Sequence, residues 1–163
     1  MGLKETGFLT KEELKKSSGY PSKARFKEGP VAVIECTQEI PCDPCKTACK
    51  FEAIEIGEPI TNTPVLKEEE CTGCGLCVAQ CPGLAIFIVD KTYSKDMATV
   101  SFPHEYFPLP QKSLEIEAVN RKGEVICTGK VTKVLNSKKF DRTPVITIAV
   151  PKDKVDDIRG IKI

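Results

Sequence analysis

Between residues 71 and 82 the chain reads Cys71-Thr72-Gly73-Cys74-Gly75-Leu76-Cys77-Val78-Ala79-Gln80-Cys81-Pro82. Three thiols separated by two residues each lie on one tight loop, and a fourth follows after three more residues, closed by proline. Three sulfurs so placed can turn toward a single iron–sulfur cube. The fourth sits just past the loop, and in chains that hold two clusters it ligates the other one. Gly73 and Gly75 suit this use, because glycine lets backbone amides crowd a cofactor without steric cost. A zinc site would pair two Cys-x-x-Cys units a dozen or more residues apart, leaving the third thiol surplus. The run therefore predicts iron–sulfur ligation, with zinc and a disulfide framework as the competing readings.

A second thiol run precedes it: Cys36-Thr37-Gln38-Glu39-Ile40-Pro41-Cys42-Asp43-Pro44-Cys45-Lys46-Thr47-Ala48-Cys49. Alone it is irregular, since five residues fill its first gap. Yet Cys42, Cys45 and Cys49 lie 32 residues before Cys74, Cys77 and Cys81, and Ala53-Ile54 lies 32 before Ala85-Ile86. Only Cys36 breaks the offset, at 35 residues before Cys71. The two runs read as one internal repeat with three residues inserted in the first loop. The competing reading takes Cys36 as unrelated, with a three-iron cluster or none at this run. Lys50 stands where the second run has proline, which bears on the turn more than on ligation.

Each half then reads strand, cysteine loop, short helical turn and strand. Val31–Glu35 is the first strand, and Phe51–Ile56 and Leu84–Val89 are the return strands. This predicts an α+β fold: a pseudo-symmetric ferredoxin domain with two [4Fe-4S] clusters. By the geometry of the repeat, Cys36, Cys42, Cys45 and Cys81 hold one cluster, and Cys71, Cys74, Cys77 and Cys49 the other. Neither half is expected to fold without metal. Ala48, Ala53, Ala79 and Ala85 would let the cubes sit close to the backbone, and Ile54 and Ile86 would shield them. Asp43-Pro44 offers one amide fewer and a negative charge, so the Cys36 cluster is expected to have the lower potential.

The flanks differ in character. Residues 1–30 form an expected docking extension, with a capping box at Thr10 and Glu13 and a second helical turn capped by Ser22. Residues 31–92 are the expected cluster domain. Residues 93–163 hold β-like runs at 97–102, 114–119, 125–128, 131–134 and 145–150, a hairpin turn at 121–124, and a short turn and last strand after Asp153. They predict a small antiparallel β-barrel or sandwich. Cys127 reads as a small buried hydrophobe. His104, in a loop of proline and aromatic residues, reads as structural or as a contact to a partner. No phosphate-binding loop, nucleophile–base pair or dinucleotide fingerprint is present, so no catalytic residue is assigned.

Eight of nine cysteines fall between Cys36 and Cys81, with no apolar run of membrane-spanning length and no signal-peptide core at the start. This reads as metal ligation in a reducing compartment, and a cytoplasmic address is expected. Residues 31–92 carry 4 basic and 10 acidic side chains, while both flanks are net basic and the whole chain is +1. Near-neutrality leans toward a fixed subunit of a hetero-oligomer over a freely diffusing acidic carrier. No basic run with interleaved aromatics argues for nucleic acid.

The stretch from Gly29 to Cys45, joined to Cys81-Pro82-Gly83-Leu84-Ala85-Ile86-Phe87, resembles the small ferredoxin-type subunits of FAD-dependent amino-acid dehydrogenases of the proline, hydroxyproline and opine kind. The resemblance is strongest over residues 29–90. It implies an electron-transfer subunit that passes single electrons between a FAD- or FMN-containing dehydrogenase subunit and an acceptor, with no substrate site of its own. Two alternatives stand beside it: a stand-alone ferredoxin whose β part is a docking module, and a structural protein stapled by its clusters.

Overall fold

A computed structural model describes residues 2–140 and 142–163. The N-terminal segment carries two one-turn helices, α1 (Leu3–Thr6) and α2 (Lys11–Leu14). α2 starts with the expected capping box: the Glu13 amide donates to Thr10 Oγ1 at 3.2 Å, and the Thr10 amide to Glu13 Oε2 at 2.8 Å. Four residues cannot hold a helix alone, and Leu14 is buried against the body. A 3₁₀ turn at Arg25–Lys27 follows, with the Arg25 amide donating to Ser22 Oγ at 3.1 Å.

The cysteine-rich stretch contains β1 (Val31–Ile34), α3 (Pro44–Ala48), β2 (Ile54–Glu55), β3 (Val65–Leu66), α4 (Leu76–Gln80) and β4 (Ile86–Asp90). β1 pairs antiparallel with β4, and β2 with β3. Local geometry recurs at the 32-residue offset of the sequence. α3 and α4 correspond in span, and Cys49 and Cys81 both end their helices in extended conformation. Glu52 (φ +54°) and Leu84 (φ +53°) both turn left-handed. That turn is why the expected return strands start late, at Ile54 and Ile86, because a left-handed residue cannot sit in a pleated ladder.

β5 (Met97–Pro103), β6 (Glu115–Val119), β7 (Val125–Leu135), β8 (Val145–Pro151) and β9 (Gly160–Ile161) complete the chain. They do not form the separate barrel or sandwich expected from the sequence. They extend β1 and β4 into one seven-stranded antiparallel sheet, ordered β1-β4-β5-β8-β7-β6-β9. The ladder thus crosses the boundary expected at residue 92. Its two edges approach one another: Glu35, just past β1, meets Arg159, just before β9, at 2.6 Å. The expected strands at 125–128 and 131–134 are one strand with an irregularity near Val131. Gly129 separates them in sequence without breaking the strand. A Cβ there would stand 3.0 Å from Val150 Cγ1 and 3.2 Å from Ile148 Cδ1, so its role is close packing on β8.

All four residues of β1 are buried, since the strand is covered on both faces. Val31, Val33, Phe87 and Val89 face one apolar cluster with Ala98, Val100, Phe102, Ile146, Ile148, Val150 and Ile158. Ala32, Ile34, Ile86 and Ile88 face the other, which contains Cys45, Cys77, Val78 and Ala79 and has Cys36, Cys49, Cys71 and Cys81 packed against it. One side of β1 and β4 is therefore an ordinary sheet core. The opposite side carries the thiols.

Candidate metal centre

The eight thiols fall into two sets around two cavities. Cys71, Cys74 and Cys77 from the second loop join Cys49 from the end of α3 around one cavity, walled by Ala32, Ala53, Ile54, Leu76 and Ile88. Cys36, Cys42 and Cys45 join Cys81 from the end of α4 around a second cavity, with Ile56, Pro64 and Ile86 in its wall. In each set the distant thiol comes from the other half of the repeat, because each helix carries one cysteine inside it and delivers the next from its C-terminal end. The sulfurs line the walls: among the described residues no three His, Cys, Asp or Glu side chains come together as a single metal ion would require. Cys45 and Cys77 are buried, Cys74 is exposed, and the rest are half-buried.

Backbone amides point at several sulfurs. Ala32 donates to Cys71 Sγ at 3.4 Å, Ala53 to Cys49 Sγ at 3.3 Å and Ala85 to Cys81 Sγ at 3.5 Å. Such donors favour the thiolate, the form that binds iron. In the polypeptide alone the opposite pressure dominates at the buried members. Burial, then the neighbouring Cys81, pushes the Cys45 thiol up to about 11, and burial followed by Cys71 pushes Cys77 well above its ordinary value. Four thiolates cannot share a dry cavity without a cation between them. Bound iron would supply that charge, and ligation would take the place of the protons. The eight-thiol donor set and the apolar walls fit [4Fe-4S] clusters, which the two thiol sets would hold.

Loop geometry depends on what lies behind it. Gly73 (φ +67°) presses against the N-terminal segment, where a Cβ would stand 2.7 Å from Pro30 O. Arg25, 8% exposed, donates to the carbonyls of Gly29, Pro30, Glu68 and Cys71. Glu35, next to Cys36, accepts from Arg121 Nε at 2.7 Å and Arg159 Nε at 2.6 Å. Burial alone would raise the Glu35 carboxyl, but the Arg121 hydrogen bonds and the Arg159 charge outweigh it and hold the group below the usual carboxylate range. The sequence gives no sign of what these three arginines do. Arg121 is visible only as part of the expected turn at 121–124, and no spacing or motif marks Arg25 or Arg159.

His104 and Cys127 line neither cavity. His104 is buried, its amide donates to Pro144 O at 2.9 Å, and its ring packs edge-on against Tyr106. Cys127 lies in β7, partly buried against the sheet core.

The class that this arrangement defines is found again by comparison: residues 64–87 match the 4Fe-4S binding domain family. The chain therefore carries a ferredoxin-type iron–sulfur segment. It is 34% identical over 94 residues to one uncharacterized ferredoxin of Methanocaldococcus jannaschii, covering 58% of this chain and 54% of that protein. A second uncharacterized ferredoxin of the same organism is 33% identical over 75 residues, 45% of each chain. One subunit of the Na(+)-translocating ferredoxin:NAD(+) oxidoreductase complex of Acetobacterium woodii is 50% identical over 47 residues, 29% of this chain and 14% of that one. The chain spans about half the length of the two ferredoxins it matches. No helix among the described residues is long and apolar enough to cross a membrane.

Proposed function

We propose that the chain is an electron-transfer subunit with two [4Fe-4S] clusters, one held by Cys36, Cys42, Cys45 and Cys81 and the other by Cys71, Cys74, Cys77 and Cys49. It relays single electrons between a flavin-containing dehydrogenase subunit and an acceptor. The observation that carries this reading is the pair of four-thiol cavities, each built from both halves of the repeat. A bound cluster supplies one-electron redox chemistry; the chain contributes thiolate ligands, amide donors and a water-excluding apolar wall. Cys74 and Phe51, both exposed beside one cavity, bring that site to the surface, where a partner can approach it. The relative that belongs to an oxidoreductase complex supports a role within an assembly.

Two measurements on natively expressed protein test this. The chain should co-elute with a flavoprotein in fixed ratio on size exclusion, and its absorbance near about 400 nm, where thiolate-ligated clusters absorb, should bleach reversibly on reduction. Cys81→Ser should then damage the cluster of the Cys36 loop, and Cys49→Ser that of the Cys71 loop. A monomer without flavin would sink the subunit assignment. Damage confined to each variant's own loop would sink the ligand assignment.

A further inference from the structure

Buried and half-buried arginines reach the thiol sites from outside the cysteine-rich stretch, and they do so from two directions. Arg25 comes from the N-terminal side. Its Nε donates to Glu68 O at 2.9 Å, Nη1 to Gly29 O at 3.2 Å, and Nη2 to Pro30 O at 2.9 Å and Cys71 O at 2.5 Å. Among the described residues these partners are all carbonyls, and the Glu68 carboxylate is engaged by the Ser22 amide at 2.6 Å, so the guanidinium is solvated by dipoles without a direct ion pair. Two residues after Pro30, the Ala32 amide faces the Cys71 sulfur. Arg25 therefore fixes both the carbonyl side of Cys71 and the segment that donates to its sulfur.

The second group comes from the C-terminal side. Arg121 grips the Glu35 carboxylate with two nitrogens, Nε on Oε2 at 2.7 Å and Nη2 on Oε1 at 2.5 Å. Arg159 adds Nε on Oε1 at 2.6 Å, with its guanidinium 4.8 Å from the Phe87 ring centre. Glu35 precedes Cys36 directly. Its own amide donates to Ala85 O at 2.8 Å, and the Ala85 amide faces Cys81 Sγ. Cys36 and Cys81 are the two members of their set that lie apart in sequence from the Cys42–Cys45 pair. Both adjoin Glu35, Cys36 through the chain and Cys81 through Ala85, and the half-buried Glu35 carboxylate is held by residues more than 80 positions away.

We propose that Arg25 and the Glu35–Arg121–Arg159 cluster are positioning and charge-setting residues for separate sites, Arg25 for the Cys71 set and the Glu35 cluster for the Cys36 set. This rests on the reading that each set holds a [4Fe-4S] cluster. Reduction adds negative charge, so a cation beside a site raises its potential and a carboxylate lowers it. Arg25 therefore lifts the Cys71 site. Glu35 lowers the Cys36 site relative to a neutral side chain there, in the same sense as Asp43, while Arg121 and Arg159, two cations on one carboxylate, act in the opposite sense. The flanking segments thus set the charge beside each site separately.

The test is potentiometric EPR on the reconstituted full chain, with each wave assigned by its loss in Cys49→Ser or Cys81→Ser. A wild-type signal that integrates to one electron per chain overturns the two-site reading and the inference with it. Given two waves, Arg25→Gln should move the Cys71-set wave to lower potential and leave the other in place, and Arg25→Lys should restore most of that shift. Glu35→Gln keeps an acceptor for both arginines and should raise the Cys36-set wave alone. If Arg25→Gln does not retain clusters, Glu35→Gln decides. Two waves that stay unmoved, or that move together in Glu35→Gln, overturn the proposal even if stability falls.

Discussion

At the scale of single residues, Gly73 is constrained twice over, by conformation and by contact. Its φ of +67° is left-handed, and an added Cβ would meet Pro30 Cβ and O at 2.7 Å. Gly7 provides the comparison, since its φ is +78° but nothing lies within 4 Å of an added Cβ. Alanine at Gly7 should cost only the backbone strain, about 1–2 kcal/mol. Alanine at Gly73 adds a collision with backbone, which must push the Cys71 loop off the N-terminal segment and away from Arg25. Its expected cost is therefore larger, roughly 2–4 kcal/mol by analogy with strained and overpacked sites. Iron content after reconstitution should fall in Gly73→Ala and stay at the wild-type value in Gly7→Ala. Equal iron in both variants would show that the Pro30 contact does not hold the loop.

At the scale of elements, legibility in the sequence depended on how local the cause was. The capping box at Thr10 and Glu13, the Ser22 cap and the turn at Asn120–Glu124 each depend on atoms within four residues, and each is present. The offset that relates Cys42, Cys45 and Cys49 to Cys74, Cys77 and Cys81 was visible because a repeat is a property of the string itself. Strand partners are not. The alternation in Leu114–Val119 marks a half-buried strand but is silent on which strand lies beside it, so the joining of β5 to β4 could not be read. Gly129 misled for a related reason, because its small size serves β8, a partner remote in sequence. Arg25, Arg121 and Arg159 resembled solvated charges, since burial of an arginine is a tertiary fact.

The segment between α2 and β1 makes a prediction of its own. Tyr20 packs edge-on against Phe26 at 5.5 Å, and its hydroxyl is pushed up to about 12, by burial first and then by Asp156. The unfolded chain titrates this group near about 10. The folded state holds the proton more tightly, so the stability is intact below about pH 10 and drains away as pH rises toward about 12. Between about pH 9.5 and pH 11, the urea midpoint for cluster bleaching should fall further in wild type than in Tyr20→Phe. Parallel losses in the two proteins would place the alkaline sensitivity elsewhere.

At the scale of the whole molecule, the two faces of β1 and β4 have different sources of stability. The face shared with β5, β7 and β8 is covered by aliphatic and aromatic side chains, among them Val100, Phe102, Ile146, Ile148 and Val150, all at most 1% exposed. None of these core side chains is a thiol of the two sets. The other face is lined by Cys45, Cys77, Val78 and Ala79, with four more thiols packed against it, and α3 and α4 are one turn each. Helices that short cannot persist by themselves, and thiols pressed together in a dry cavity repel once ionised. Removing iron with a chelator under reducing conditions should therefore melt the molecule in part, because metal binding and folding are one event only on the thiol side. Hydrogen exchange on the chelated protein should show Met97–Pro103 and Val145–Pro151 still protected and residues 36–56 and 71–82 exchanging freely. β1 should lie between the two, since it keeps its ladder to β4 but loses the cover over Ala32 and Ile34. Uniform loss of protection would mean that the sheet core, despite its burial, cannot stand without the thiol face behind it.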